Sequence, residues 1–264
     1  MPAPLNTFKA ALVAGRPQIG LWLGLANPIT ADLCANAGFD WLLIDGEHAP
    51  NDIPTILAQA QAIGDRSHVI VRPPLGEVHR IKQILDLGVQ TILVPMIETE
   101  AQAAEMTRAM LYPPHGVRGV GAALARASNF GTTPGYLATA NAQTCLLLQI
   151  ESRAGLAQLD AIAATLGVDG IFIGPADLAA DMGYLGNPAA AEVQAAVEGA
   201  LKRIMSLGKA AGILTSDRGL AQRYLDLGAS FVAVGSDVGL LSGAATQLRG
   251  AFAGVASKPT PTGY

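Results

Sequence analysis

In the run WLLIDGEHAPND, residues 41–52, four apolar residues give way at once to Asp45, Glu47 and His48. Two carboxylates beside an imidazole at the lip of a buried segment are suited to general acid–base chemistry, because an unperturbed histidine titrates close to neutral pH. Other segments end the same way. Arg72 closes HVIVRP, Gln149 and Glu151 close TCLLLQIE, and GIFIGPAD passes through Gly174 and Ala176 to Asp177. Gln149 and Glu151 are two apart, so in an extended chain they project from one side. With Asp177 on the neighbouring strand, Glu151 forms a pair of carboxylates, which means either a shared proton or a divalent cation. Two oxygen ligands with room for water or substrate suit Mg²⁺ or Mn²⁺, with Co²⁺ a further candidate, whereas zinc wants more His or Cys. Both acids could instead cap the helices that follow. Their company, Gln149, Arg72 and His48, favours the metal.

Of the four histidines only His48 ends a strand-like segment; His68 begins one, His79 lies in a helical pattern and His115 in a loop. His48 is therefore the expected general base, and Arg72 the fixed cation for a carboxylate or a developing oxyanion. Asp45 and Glu47 either orient His48 or bond loop amides. Lys9, Lys82, Lys202, Lys209 and Lys258 all fall away from strand ends, which leaves no candidate for a Schiff-base lysine. Trp22, Leu214 and the loop from Val117 to Ala125 point to an apolar substrate pocket. Cys34 and Cys145 read as small core residues without chemistry.

Strand ends converge only if the strands share a sheet. Eight short apolar runs, beginning at Gln18, Trp41, His68, Thr91, Thr144, Gly170, Ala210 and Phe231, alternate with helical patterns such as VHRIKQILDLG. Gly38, Gly88, Gly167, Gly208 and Gly228 each follow a helical pattern just before a strand, where a left-handed residue stops a helix. Apolar strands alternating with helices predict a parallel sheet, and eight units predict a closed (β/α)8 barrel, read as one domain over residues 1–264 with a short N-terminal lead and a KPTPTGY tail. A Rossmann-like sheet is the alternative. No G-x-G-x-x-G follows the first strand, so no nucleotide cofactor is expected. Two long excursions, YPPHGVRGVGAALARASNFGTTP and LAADMGYLGNPAA, are expected on the catalytic face.

Of the 264 residues 14% are charged and 50% hydrophobic, with a net charge of −4 and no basic block. Nucleic acid is an unsuitable partner for such a chain. The low charge density favours a homo-oligomer. No signal-like N-terminus and no bilayer-length apolar run occur, which leads us to expect a cytoplasmic protein without a membrane partner.

From GLWLGL through WLLIDGEHAPND, VRP, LVPM, YPPHGVRGVG, QIES and GVDGIFIGPADLAADMGY to FVAVGSD, the chain resembles the HpcH/HpaI class II, metal-dependent pyruvate aldolases. The resemblance implies a barrel in a hexamer, acting in aromatic catabolism. It implies reversible cleavage of a 4-hydroxy-2-oxo acid, such as 4-hydroxy-2-oxoheptanedioate, to pyruvate and an aldehyde such as succinate semialdehyde. It further implies Glu151 and Asp177 as metal ligands, His48 as base and Arg72 as transition-state stabiliser, with Gln149 and the Ala176 backbone on the substrate. Asp86, in RIKQILDLG, would raise the basicity of the histidine. Its place at a helix end sets it at the bottom of its own barrel, so it either reaches a neighbouring subunit's site or is structural.

Overall fold

In the computed structural model of the chain, residues 2–252 are described; the KPTPTGY tail lies outside them. Eight strands, β1 (Gln18–Leu23), β2 (Trp41–Asp45), β3 (His68–Arg72), β4 (Thr91–Val94), β5 (Cys145–Ile150), β6 (Gly170–Ile173), β7 (Ala210–Leu214) and β8 (Phe231–Ser236), pair in parallel in chain order and close into a barrel. The helices are α1 (Thr7–Val13), α2 (Pro28–Ala35), α3 (Ile53–Ile63), α4 (Val78–Asp86), α5 (Glu100–Met110), α6 (Tyr136–Gln143), α7 (Arg153–Ala157), α8 (Leu159–Ala164), α9 (Pro175–Asp181), α10 (Ala191–Ser206), α11 (Arg218–Asp226) and α12 (Asp237–Ala251). The five helix-ending glycines all adopt the left-handed conformation anticipated for them, with φ from +73° to +101°.

Each strand is apolar on both faces because it serves two cores. Leu21, Leu42, Ile44, Val71 and Ile92 pack outward under the helices, while Trp22, Trp41, Leu43, Ile70, Phe172 and Phe231 fill the barrel interior. Large rings fit there because small residues face them. A Cβ at Gly20 would fall within the Trp41 ring, and one at Gly212 within the Phe231 ring. From below, Phe8 of α1 plugs the barrel, edge-on to Trp41 and Phe231 and stacked on His68 at 5.4 Å.

Two expectations need correction. The excursion beginning at Tyr112 follows α5 rather than β4 directly, so it leaves from the bottom of the barrel, where Arg118 and Arg126 bind Asp86 and the Leu87 carbonyl. The Val117 to Ala125 loop therefore does not join Trp22 and Leu214 within one chain. The second excursion begins inside α9, whose Asp181 accepts from the Arg153 amide at the start of α7, and then runs on to α10. The sixth strand stops at Ile173, since Pro175 starts a helix, and Asp177 sits in the first turn of α9 rather than on the strand.

Helix α12 covers little. Val238, Leu240, Leu241 and Leu248 are 44–66% exposed, and Ile29 and Leu33 of α2 are also in solvent. Among the described residues, no helix is long and apolar enough to cross a membrane.

His68 supplies a test of the barrel floor. Its Nε2 lies 2.7 Å from Thr91 Oγ1, and burial pushes its pKa down from 6.5 to about 4. Below pH 6.5 the unfolded chain takes up a proton that the folded one refuses, so this contribution to stability is present above pH 6.5 and is lost as the pH falls towards 4. Urea titrations between pH 7 and 4.5 should show wild type losing about 2 kcal/mol more than His68→Gln. Parallel curves would remove His68 as the cause.

Candidate active site

At the C-terminal end of the barrel, β2 and β3 are in register with Asp45 opposite Arg72. The two side chains meet as a fork. Arg72 Nε donates to Asp45 Oδ1 at 2.9 Å and Nη2 to Oδ2 at 2.6 Å, with only about 7% of either side chain exposed. Burial works against the Asp45 carboxylate, but the hydrogen bonds and charge of Arg72, helped by loop amides, hold its pKa below the usual range. Trp22 forms the floor. Its indole N–H donates to Asp45 Oδ2 at 3.3 Å, and the guanidinium carbon lies 5.2 Å from the indole centroid.

Asp45 also accepts from the Glu47 and His48 amides, at 3.0 and 3.5 Å; of the two alternatives for this acid, it bonds loop amides, and it anchors Arg72, a partner the sequence did not suggest. Asn51 fixes the same turn by donating to the Asp45 carbonyl, and Gln59 donates to Asn51 in turn. From this turn Glu47 reaches back to Arg72 Nη1 at 2.8 Å, and the His48 side chain stands 65% exposed, its Nε2 3.9 Å from Glu47 Oε2. Burial raises the Glu47 pKa, against the neighbouring Arg72 charge.

Gln149 and Glu151 share one side, as their spacing requires, and the Gln149 amide donates to Glu151 Oε2. The Met96 amide donates to Glu151 Oε1 at 3.0 Å, from a residue held at φ +58°. A left-handed non-glycine of this kind is strained, and here the strain turns an N–H onto a buried carboxylate. Burial pushes the Glu151 pKa up to about 7, with the negative charge of Asp177 and Glu47 adding to it and the two hydrogen bonds opposing it. Asp177 is exposed on the first turn of α9, and Ala176 precedes it there, its amide among those without an intrahelical partner. Leu214 packs, partly buried, against the interior layer to which Trp22 belongs.

Among the described residues, no three His, Cys, Asp or Glu side chains converge as a ready-made metal group. The donor set is nevertheless all oxygen. Buried Glu151, charge-coupled to Asp177, lies beside a Gln149 Oε1 that is buried without a hydrogen-bond donor. Such a site fits a hard divalent cation whose remaining positions go to water or substrate.

Asp86 is elsewhere. It binds the buried Arg118 at 2.8 Å, whose guanidinium lies 4.3 Å over the Tyr112 ring, and it does not meet His48 in the same chain. Three contributors escaped the sequence reading or were left undecided by it: Glu47, the Met96 amide, and Asp237, which accepts from the Gly24 and Leu25 amides and shapes the loop after β1. An acid that opens a helix signals Asp237; nothing in the run LVPM signals the turned amide.

Gly174 belongs to the site through its missing side chain. A Cβ there would lie 2.8 Å from Glu151 Cβ and 3.1 Å from Gln149 Nε2. Gly174→Ala should therefore displace Glu151 and weaken Mn²⁺ binding at least tenfold in a spectroscopic titration, while circular dichroism shows the barrel still folded. Unchanged affinity would show that Glu151 is not held against this glycine.

Residues 18–244 match the HpcH/HpaI aldolase/citrate lyase family. The chain is 58% identical over 259 residues to a hydroxypyruvate/pyruvate aldolase of Deinococcus radiodurans, covering 96% of this chain and 94% of that one. It is 56% identical over 260 residues to a 4-hydroxy-2-oxo-heptane-1,7-dioate aldolase of Escherichia coli, covering 98% and 99%. A crystal structure of an HpcH/HpaI aldolase/citrate lyase family protein from Burkholderia cenocepacia superimposes with a TM-score of 0.90 at 39% identity, covering 93% of this chain and 98% of that one. On the family match and the identities together, the chain belongs to the HpcH/HpaI aldolase family.

Proposed function

We propose that this protein is a divalent-metal-dependent aldolase that cleaves a 4-hydroxy-2-oxo acid to pyruvate and an aldehyde, with 4-hydroxy-2-oxoheptanedioate and succinate semialdehyde as the first pair to try. Membership of the family makes the chain a carbon–carbon lyase. The observation that carries the finer reading is the oxygen-donor group of Glu151, Asp177 and Gln149 in one mouth with the Asp45–Arg72 fork. Glu151 and Asp177 would hold the cation, which when bound polarises the keto group of pyruvate. His48 removes the proton from C3 in the condensation direction, and in cleavage takes the proton of the C4 hydroxyl. Asp45 claims Nε and one Nη2 hydrogen of Arg72, and Glu47 lies against Nη1, so the guanidinium stays fixed while the N–H that neither acid takes is left for the developing oxyanion. Gln149 and the Ala176 amide orient the acid, and Trp22 and Leu214 give its tail an apolar wall. Aldolases for 2-keto-3-deoxy sugar acids would share this core but want a more polar aldehyde pocket.

A second reading concerns the donor. The Deinococcus relative is named for hydroxypyruvate as well as pyruvate, so both should be compared as nucleophiles against one aldehyde. We further infer a homo-oligomer, a hexamer by family resemblance, because α12 and α2 leave apolar side chains in solvent. Asp86 then acts on a neighbour's His48 or not at all. Dilution to monomers, followed by light scattering, should abolish turnover and spare Mn²⁺ binding if it does; full activity in monomers would remove Asp86 from the reaction.

Pyruvate release from racemic 4-hydroxy-2-oxoheptanedioate by metal-stripped protein should appear only after Mg²⁺, Mn²⁺ or Co²⁺ is added. Release without metal would overturn the role given to Glu151 and Asp177. His48→Ala should lower turnover about 10²- to 10⁴-fold, as loss of a general base does; unchanged turnover would exclude His48.

A further inference from the structure

The two carboxylates assigned to the cation come from different segments, so their separation depends on how those segments are joined. Glu151 follows the last residue of β5, and Asp177 stands in the first turn of α9. Two backbone links straddle Glu151. On one side the Gly174 amide, just ahead of α9, donates to the Ile150 carbonyl at 3.1 Å. On the other the Arg153 amide, which opens α7, donates to Asp181 Oδ2 at 2.7 Å, and Arg153 Nε donates to the same oxygen at 3.1 Å. Both ends of α9 are thus tied to the segment that carries Glu151.

Asp181 is an unfavourable residue for its own helix. It closes α9, where a negative charge opposes the macrodipole. The amide it takes is one that the first turn of α7 leaves without an intrahelical partner, so the carboxylate joins the end of one helix to the start of the other. The Arg153 side chain is 71% exposed, and an ion pair so placed adds little. The bond that fixes position is the one to the amide.

We propose that Asp181 is a positioning residue of the cation site: by clasping the Arg153 amide it holds α9 at the spacing from Glu151 that lets Glu151 and Asp177 share a small divalent cation. The inference rests on the metal-dependent reading. Helix α9 has seven residues, about 10 Å of rod, with Leu178 and Ala179 buried beneath it, so fixing its last residue fixes the turn that bears Asp177. Cation size then reports the spacing. Mg²⁺ demands near-ideal geometry at about 2.0–2.1 Å, whereas Ca²⁺ accepts flexible arrangements at about 2.3–2.6 Å. Carboxylates free to part should therefore lose Mg²⁺ and keep Ca²⁺.

Mn²⁺ binding to the metal-stripped, full-length protein can be followed by electron paramagnetic resonance, and Mg²⁺ and Ca²⁺ by competition against it, with circular dichroism to show that each variant is folded. Asp181→Ala should weaken Mg²⁺ binding about tenfold, the lower end of what a lost supporting contact costs a metal site, with Ca²⁺ within twofold of wild type. Arg153→Pro removes the donor amide at the first helical position, where proline is accommodated after an extended Ser152, and should reproduce that shift. Arg153→Gln keeps the amide and should stay within twofold for both ions. Wild-type Mg²⁺ affinity in Asp181→Ala or Arg153→Pro overturns the proposal. So does an equal loss of Mg²⁺ and Ca²⁺, the mark of a loosened fold, and so does a loss in Arg153→Gln as large as in Asp181→Ala. Wild-type protein that binds none of the three ions overturns the metal reading itself, and the task of Asp181 with it.

Discussion

The mouth of this barrel is organised around a buried arginine. Arg72 lies beside Asp45 on an adjacent strand, and an arginine so enclosed must have a carboxylate with it; removing one partner of a buried pair leaves a charge whose desolvation is worth on the order of 3–5 kcal/mol. Strand register provides the carboxylate, and its second lone pairs then collect the Trp22 indole and the amides of Glu47 and His48. One ion pair thus fixes the floor of the site, the turn above it and the direction in which the histidine leaves the barrel.

The opposite wall is built on the reverse principle. Glu151 is as buried as Asp45 but has no cation beside it, only hydrogen bonds from Gln149 and the Met96 amide and the negative charges of Asp177 and Glu47. A carboxylate in that setting resists ionisation, which is why its pKa rises to about 7 while that of Asp45 falls. Two acids at one mouth are therefore driven apart by their surroundings, one held ionised by a resident guanidinium, the other waiting for positive charge from outside. Gly174 lets Glu151 lie so close to the backbone after β6, since any side chain there would occupy the space of Glu151.

The barrel was legible because its signals are local and repeated: apolar runs long enough for both faces of a strand, and glycines that end helices. The side chains that converge were legible for the same reason, as strand ends of a closed parallel sheet share one mouth. What escaped depends on how long each strand really is and on backbone that carries no pattern. Pro175 turned the expected end of the sixth strand into a helix and moved Asp177 onto it. The helix α5, unrecognised as a separator, sent the excursion at Tyr112 to the floor of the barrel rather than to its mouth. The Met96 amide is invisible in sequence because its contribution lies in φ, and Glu47 could be ranked only once its distances to Arg72 and His48 were known.

We propose that the mouth holds one cation on Glu151 and Asp177, opposite an Arg72 that Asp45 never releases. Crystals grown with Mn²⁺ and pyruvate test it most directly, through the anomalous signal of the metal. A single strong peak is expected about 2 Å from a carboxylate oxygen of each acid, with pyruvate between it and His48 and the Asp45–Arg72 fork intact. A peak elsewhere, or a guanidinium that has left Asp45 to bind the metal-side carboxylates, would contradict it.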